Sequence, residues 1–228
     1  MPAMLKIRSR LIVLLVAAVT PAFAQDAQKP EDQEAAYTRT ITQRADKIVA
    51  TLGITDSAKT AQVRDLITRQ YRALSRIHDA RDAQIKAAKQ NTDKTAADAA
   101  IQTAQEAAKI KLDPLHAEFL SKLSARLSPE QVDQVKDGLT YGVAPLTYGV
   151  YLQMYPELTD EQKTQIKAWL MEARELAMDG STSEEKHAVF GKYKGRINNY
   201  LSKAGYDAKK GEENLKKATQ PTSEKTSN

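Results

Sequence analysis

Two short segments of the chain gather residue types that can hold a polar ligand. The first carries the tandem Thr140-Tyr141-Gly142-Val143 and Thr147-Tyr148-Gly149-Val150, and with them four of the nine tyrosines, Tyr141, Tyr148, Tyr151 and Tyr155. A tyrosine ring offers a flat apolar face with a hydroxyl at its edge, which suits a sugar ring, a peptide segment or another aromatic group. The second is Phe190-Gly191-Lys192-Tyr193-Lys194-Gly195-Arg196-Ile197-Asn198-Asn199-Tyr200. On a helix, Lys192, Arg196 and Asn199 lie on adjacent turns. An arginine fork matches a carboxylate, such as that of a uronic acid, with two parallel hydrogen bonds. The candidate binding residues are therefore Tyr141, Tyr148, Tyr151, Lys192, Tyr193, Arg196 and Asn199. Each segment also has a purely structural reading. The tyrosines can plug the join between two helices. Gly191 and Gly195, four apart, make one helix face smooth enough for a neighbouring helix to approach.

Reaction chemistry is harder to find. An enzyme acting on carbohydrate would place Tyr141, Lys192 and Arg196 around a cleft with one of Asp137, Glu172 or Asp179. No carboxylate pair stands out, and helical spacing alone cannot establish the roughly 5 Å or 6.5–9.5 Å separation that a glycosidase needs. The histidines His78, His116 and His187 are scattered, none four residues from another. They are expected on the surface or partly packed, and no metal site or cofactor is expected. The chain has no cysteine, which excludes disulfides, thiolate metal sites and cysteine nucleophiles. It has no Gly-x-Ser-x-Gly, phosphate loop or His-Glu-x-x-His.

The elements that must place these residues all read as helices. Apolar positions at Tyr37, Ile41, Ala45, Ile48 and Leu52 step by four and three, and Gly53 stops that helix. Thr55 or Ser57 caps a longer one, with Val63, Leu66, Ile67, Leu74, Ile77 and Ile85 as its stripe. It reaches about 33 residues, or roughly 50 Å. After a turn at Asn91 to Thr95 the stripe resumes at Ala97, Ile101, Ala104, Ala108 and Leu112, which predicts an antiparallel, Ala-rich hairpin. Asp113-Pro114 should kink the helix or restart it. Two capped starts follow, Ser128 with Gln131 and Thr159 with Gln162, each with a leucine before the cap. Between them the tyrosine segment, interrupted by Gly142, Pro145, Gly149 and Pro156, predicts a short helix between bends. Thr182 with Glu185 caps a last main helix through Tyr193 to Leu201.

The expected architecture is all-α, a long antiparallel helical hairpin plus a compact C-terminal helical bundle. A signal peptide occupies residues 1–24 and a disordered stretch 25–33. The hairpin arm spans 34–112 and the bundle 113–206, leaving a polar, largely disordered tail over 207–228. The signal reading rests on Lys6, Arg8 and Arg10 ahead of the apolar run Leu11 to Val19, and on Ala22-Phe23-Ala24 as the cleavage site. Export to the periplasm or the exterior follows from it. The apolar run is too short for an integral membrane span. Without those residues the 34 basic side chains fall to 31 against 29 acidic ones. That balance, interspersed along the chain, gives no clustered basic face for nucleic acid.

Two resemblances attach to these residues. Leu158-Thr159-Asp160-Glu161-Gln162, and Leu127-Ser128-Pro129-Glu130-Gln131 with Ser for Thr, resemble the L-T-x-x-Q signature of the Spy-like periplasmic helical chaperones. That likeness implies ATP-independent binding of unfolded clients. Leu127 to Val143, Tyr148 to Trp169 and Phe190 to Tyr206, within about Leu115 to Tyr206, resemble a secreted bacterial family that carries only a domain-of-unknown-function label. Its members accompany polysaccharide-degradation systems, which implies an association with glycan use and supplies no catalytic residues. The leading expectation is an exported, non-catalytic binding protein. Its partner is a glycan fragment or a protein client, and a homodimer through the hairpin is left open.

Overall fold

The computed structural model describes residues 30–220, and among these every regular element is an α-helix. The eight helices are α1 (Pro30–Ala50), α2 (Ser57–Ala88), α3 (Lys94–Ser124), α4 (Pro129–Leu139), α5 (Val143–Met154), α6 (Asp160–Met178), α7 (Ser183–Lys203) and α8 (Ala208–Thr219). No described helix is long and apolar enough to cross a membrane. The signal-peptide expectation at 1–24 and the last eight residues of the expected tail lie outside the described residues.

Local chemistry sets the helix starts. Asp56, between the two expected caps, accepts the Ala58 and Lys59 amides at 2.8 and 3.1 Å, and Asp93 caps α3 in the same way. Full capping boxes open α4 (Ser128, Gln131), α6 (Thr159, Gln162) and α7 (Thr182, Glu185). Two of these boxes also join elements. The Gln131 Nε2 donates to the Leu52 carbonyl beyond α1 at 2.8 Å. The Gln162 Oε1 accepts the Tyr206 hydroxyl beyond α7 at 2.7 Å.

Three expectations need correction. The first helix begins at Pro30, inside the stretch expected to be disordered. Of the kink or restart expected at Asp113-Pro114, the restart does not occur: α3 runs on through Pro114 to Ser124. Pro114 is exposed and Ile110, four residues earlier, is 74% exposed, so water can satisfy the carbonyl that loses its amide donor. The tail is not featureless either, because Ala208–Thr219 forms α8 on α5. Gly211 lies flat against the Tyr155 ring, and the Asn214 amide donates to the Met154 carbonyl at 3.0 Å.

Two cores organise the molecule. One joins α1, α2, the end of α3 and α4 around Ile41, Ile67, Phe119, Leu123, Val135 and Leu139, each no more than 2% exposed. Of the residues after α4, Met178 alone belongs to it. The other fills the space between α5, α6 and α7 with Ala144, Ile166, Leu170, Phe190, Ile197 and Leu201. Burying an aliphatic or aromatic side chain of this size contributes about 1.5–3 kcal/mol. The hairpin is thus an arm only toward its tip; its base is part of a core that α4 completes.

Candidate functional site

Packing α6 on α7 buries Ile166, Leu170 and Ala173 against Phe190, Ile197 and Leu201, which turns the adjoining positions to the rim. Trp169 and Glu172 come from α6; Tyr193, Arg196 and Tyr200 come from α7. Trp169 and Tyr200 meet edge to face, with ring centroids 5.2 Å apart at 88°. The Arg196 guanidinium carbon lies 4.5 Å from the centroid of the Trp169 ring, within cation–π range. Its Nη1 is 3.7 Å from the Glu172 carboxylate, too far for a hydrogen bond, and both side chains are about half exposed at 54% and 53%. Partial burial, and next the facing Glu172 carboxylate, push the Tyr193 hydroxyl pKa up. The result is an aromatic shelf with one cation pinned across it.

The two glycines of this helix have no helix against them. A Cβ added to Gly191 or Gly195 would meet nothing within 4 Å, and both residues are exposed. The close-approach reading of this pair is therefore overturned: the smooth strip faces open space, with Lys192 and Asn199 exposed on the same helix.

The tyrosine segment does meet α7. The buried Tyr151 donates its hydroxyl to the Asn198 Oδ1 at 2.7 Å, with the Lys194 carbonyl at 3.4 Å. Burial, with Tyr155 nearby, pushes the Tyr151 hydroxyl up to about 12. The partner is Asn198 and not Asn199, because Ile197 and Leu201 fix which face of α7 turns inward. Tyr148 is half-buried against the second core. Tyr141 stands apart, in the left-handed region at φ 59°, exposed, and stacked on His187 with centroids 6.0 Å apart. His187 precedes Arg196 by nine residues, or roughly 13 Å of helix. Tyr193, Arg196, Lys192 and Asn199 thus share α7, Tyr151 is an internal strut, and Tyr141 belongs elsewhere. Of the three carboxylates considered for catalysis, Glu172 alone approaches Arg196. Asp137 accepts from Arg174 at 2.9 Å and Asp179 pairs with His116 at 2.9 Å.

A second polar cluster escaped sequence reasoning. His78 of α2 and His116 of α3 both reach the turn between α6 and α7. The His78 Nε2 lies 2.6 Å from the Asp179 carbonyl, and its Nδ1 has no hydrogen-bond partner, with Glu185 at 3.6 Å. The His116 Nδ1 lies 2.9 Å from Asp179 Oδ1, and its Nε2 3.7 Å from Glu175. These carboxylates hold His116 well above its ordinary 6.5, at about 9. Burial alone would raise the carboxyls of Glu175 and Glu185. His116 with Lys136, and Arg81 with the Ser181 amide, reverse this and bring each to about 2. Lys186, 2% exposed, touches only the Met178 carbonyl at 3.5 Å, and burial lowers it to about 8. A signal existed: His78 continues the stripe of Ile67 and Leu74, and Lys186 that of Phe190 and Ile197. A polar residue on an apolar stripe must find a buried partner.

Two surface depressions lie away from both clusters. One of about 390 Å³ sits between α1 and α2, beside Tyr37, Arg72 and Asp79. Another of about 400 Å³ lies along the first turns of α6. No curated protein matches the chain. A family model described as "Protein of unknown function (DUF3826)" matches residues 38–220, a longer span than the resemblance at residues 115–206. The chain belongs to this family of proteins of unknown function.

Proposed function

We propose that the protein is an exported, non-catalytic binding protein, and that the α6–α7 shelf meets a glycan fragment. The observation that carries this reading is the geometry of Arg196. The guanidinium is laid over Trp169, half exposed, beside the open strip of Gly191 and Gly195, and it makes no hydrogen bond among the described residues. A pre-positioned fork of this kind loses little freedom when a carboxylate or vicinal hydroxyls arrive. The aromatic edges of Tyr193 and Tyr200 supply apolar contact for a ring. Catalysis fits less well, since Glu172 is 53% exposed on an open surface, where water is not excluded from it. A client-binding chaperone fits less well too. The exposed large apolar residues are Ile110, Tyr141, Leu146 and Leu176, one each on α3, the turn before α5, α5 and α6.

Trp169 is the only tryptophan, so its fluorescence reports on the shelf itself. Titration of the protein with neutral and uronate-containing oligosaccharides should change that emission saturably, most with the acidic ones. Arg196→Ala should weaken binding about tenfold or more, the scale of one charged hydrogen bond. No response to any sugar, together with suppressed aggregation of an unfolded client, would sink the glycan reading.

A further inference from the structure

We propose that the contact between the helical hairpin and the α6–α7 corner is a protonation-controlled clasp. Charged His116, bonded to Asp179 and facing Glu175, holds α6–α7 in one orientation on α2–α3, and neutral His116 releases it.

The argument starts from how little else spans this contact. The first core takes only Met178 from the chain after α4, so apolar packing between the hairpin and the corner is sparse. What crosses instead is polar. From α2, His78 contacts the Asp179 carbonyl, and Arg81 donates to Glu185 at 2.6 Å. From α3 comes His116. A doubly protonated imidazole has two donors, one for each carboxylate it faces; a neutral ring has one donor and no charge, so both carboxylates lose their charge partner and one loses its donor as well. The surrounding charges decide how much this matters. On α6, Glu175 is also held by Lys136 of α4 at 2.9 Å, and Arg174 lies 3.6 Å from it. On α7, Glu185 faces Arg81 and His78, and the buried Lys186 feels Asp179, Glu185 and, from α1, Arg44. Asp179 has no such second anchor: Lys186 is near, but the ion pair it makes is with His116. Losing the His116 proton therefore removes the one ion pair that Asp179 makes among the described residues, next to Gly180 where the chain turns. The Asp179 and Glu175 carboxylates outweigh the partial burial of His116 and favour its charged form, to about pH 9. Because α6 and α7 carry the shelf, the clasp sets how the shelf is presented, whatever its ligand.

The chain has no cysteine, so two introduced ones can be labelled cleanly. Spin labels on Gln84→Cys of α2 and Lys203→Cys of α7, both exposed positions in the full chain, report the distance between hairpin and corner. A single narrow distance distribution is expected from pH 6 to 8, with broadening or a second population above about pH 9. His116→Gln should show the broad distribution already at pH 7. A distribution that stays unchanged to pH 10.5 overturns the proposal, and so does a transition that survives in His116→Gln. If that variant does not fold, the wild-type His116 ring resonances decide: titration near pH 9 supports the clasp, and titration near 6.5 overturns it.

Discussion

Lys186 shows how far a single side chain can be taken from comfort by its position. Its stem runs among buried groups of the α6–α7 corner and its ammonium touches only the Met178 carbonyl at 3.5 Å. A lysine whose folded pKa lies at about 8, below the ordinary 10.5, carries a penalty that is fully present below pH 8 and fades by 10.5. Lys186→Met keeps the length and removes the charge, so urea denaturation should find it more stable than wild type at pH 6–7, by roughly 1–3 kcal/mol. The gain should vanish near pH 10.5; a variant less stable at neutral pH would mean that Asp179 and Glu185 depend on the lysine. Single residues such as this were half legible beforehand. The stripe position of Lys186 and His78 was in the sequence, but His78 finds Asp179 101 residues away, and helical periodicity carries no information about such a partner. Asn198 against Asn199 is the same case on a smaller scale. Both are exposed on α7, and the way Ile197 and Leu201 seat in the second core selects Asn198 to receive Tyr151.

At the scale of elements, sequence chemistry was most informative where it is local. The three capping boxes form as the residue spacing requires, because the bonds close within four residues. The restart expected at Pro114 failed because the cost of the proline depends on surroundings that no local pattern records. On an exposed helix face the lost bond is tolerated, yet the penalty against alanine, up to about 3 kcal/mol, remains. Pro114→Ala is therefore expected to raise the unfolding midpoint without changing helix content; a lower midpoint would mean that a bend at Pro114 is needed to seat Phe119 and Leu123. For α8 the decisive residue is one with no side chain. A Cβ on Gly211 would stand 2.8 Å from the Tyr155 ring, which is 6% exposed and packed edge to face on Tyr206. The ring has nowhere to go. Gly211→Ala should undock α8, seen as rapid amide exchange over Ala208–Thr219 while α1 to α4 keep their protection.

For the whole molecule, the division that periodicity suggested, an arm and a bundle, is cut differently by the cores. Whether α4 packs on the hairpin or on α5 is a question of tertiary geometry, and the structure gives it to the hairpin through Val132, Val135 and Leu139. That leaves the polar corner as a main tie between the two cores, so global stability should follow its titration. Glu175 and Glu185, brought from 4.5 to about 2, contribute stability that is present above pH 4.5 and lost as pH falls toward 2. His116, raised from 6.5 to about 9, contributes fully below pH 6.5 and loses that contribution as pH climbs to 9. Lys186 acts in the opposite sense, its penalty lifting between about 8 and 10.5. The signs combine into a distinctive profile. Stability should be flat between pH 4.5 and 6.5, then fall by on the order of 1–2 kcal/mol to pH 8. From 8 to 9 the two groups cancel, and above 9 part of the loss should return. Urea denaturation at half-unit steps of pH checks this. His116→Gln should remove the fall and Lys186→Met the recovery, each without the other. A wild-type curve level from pH 6 to 9 would show that the proton on His116 contributes nothing to the free energy of folding.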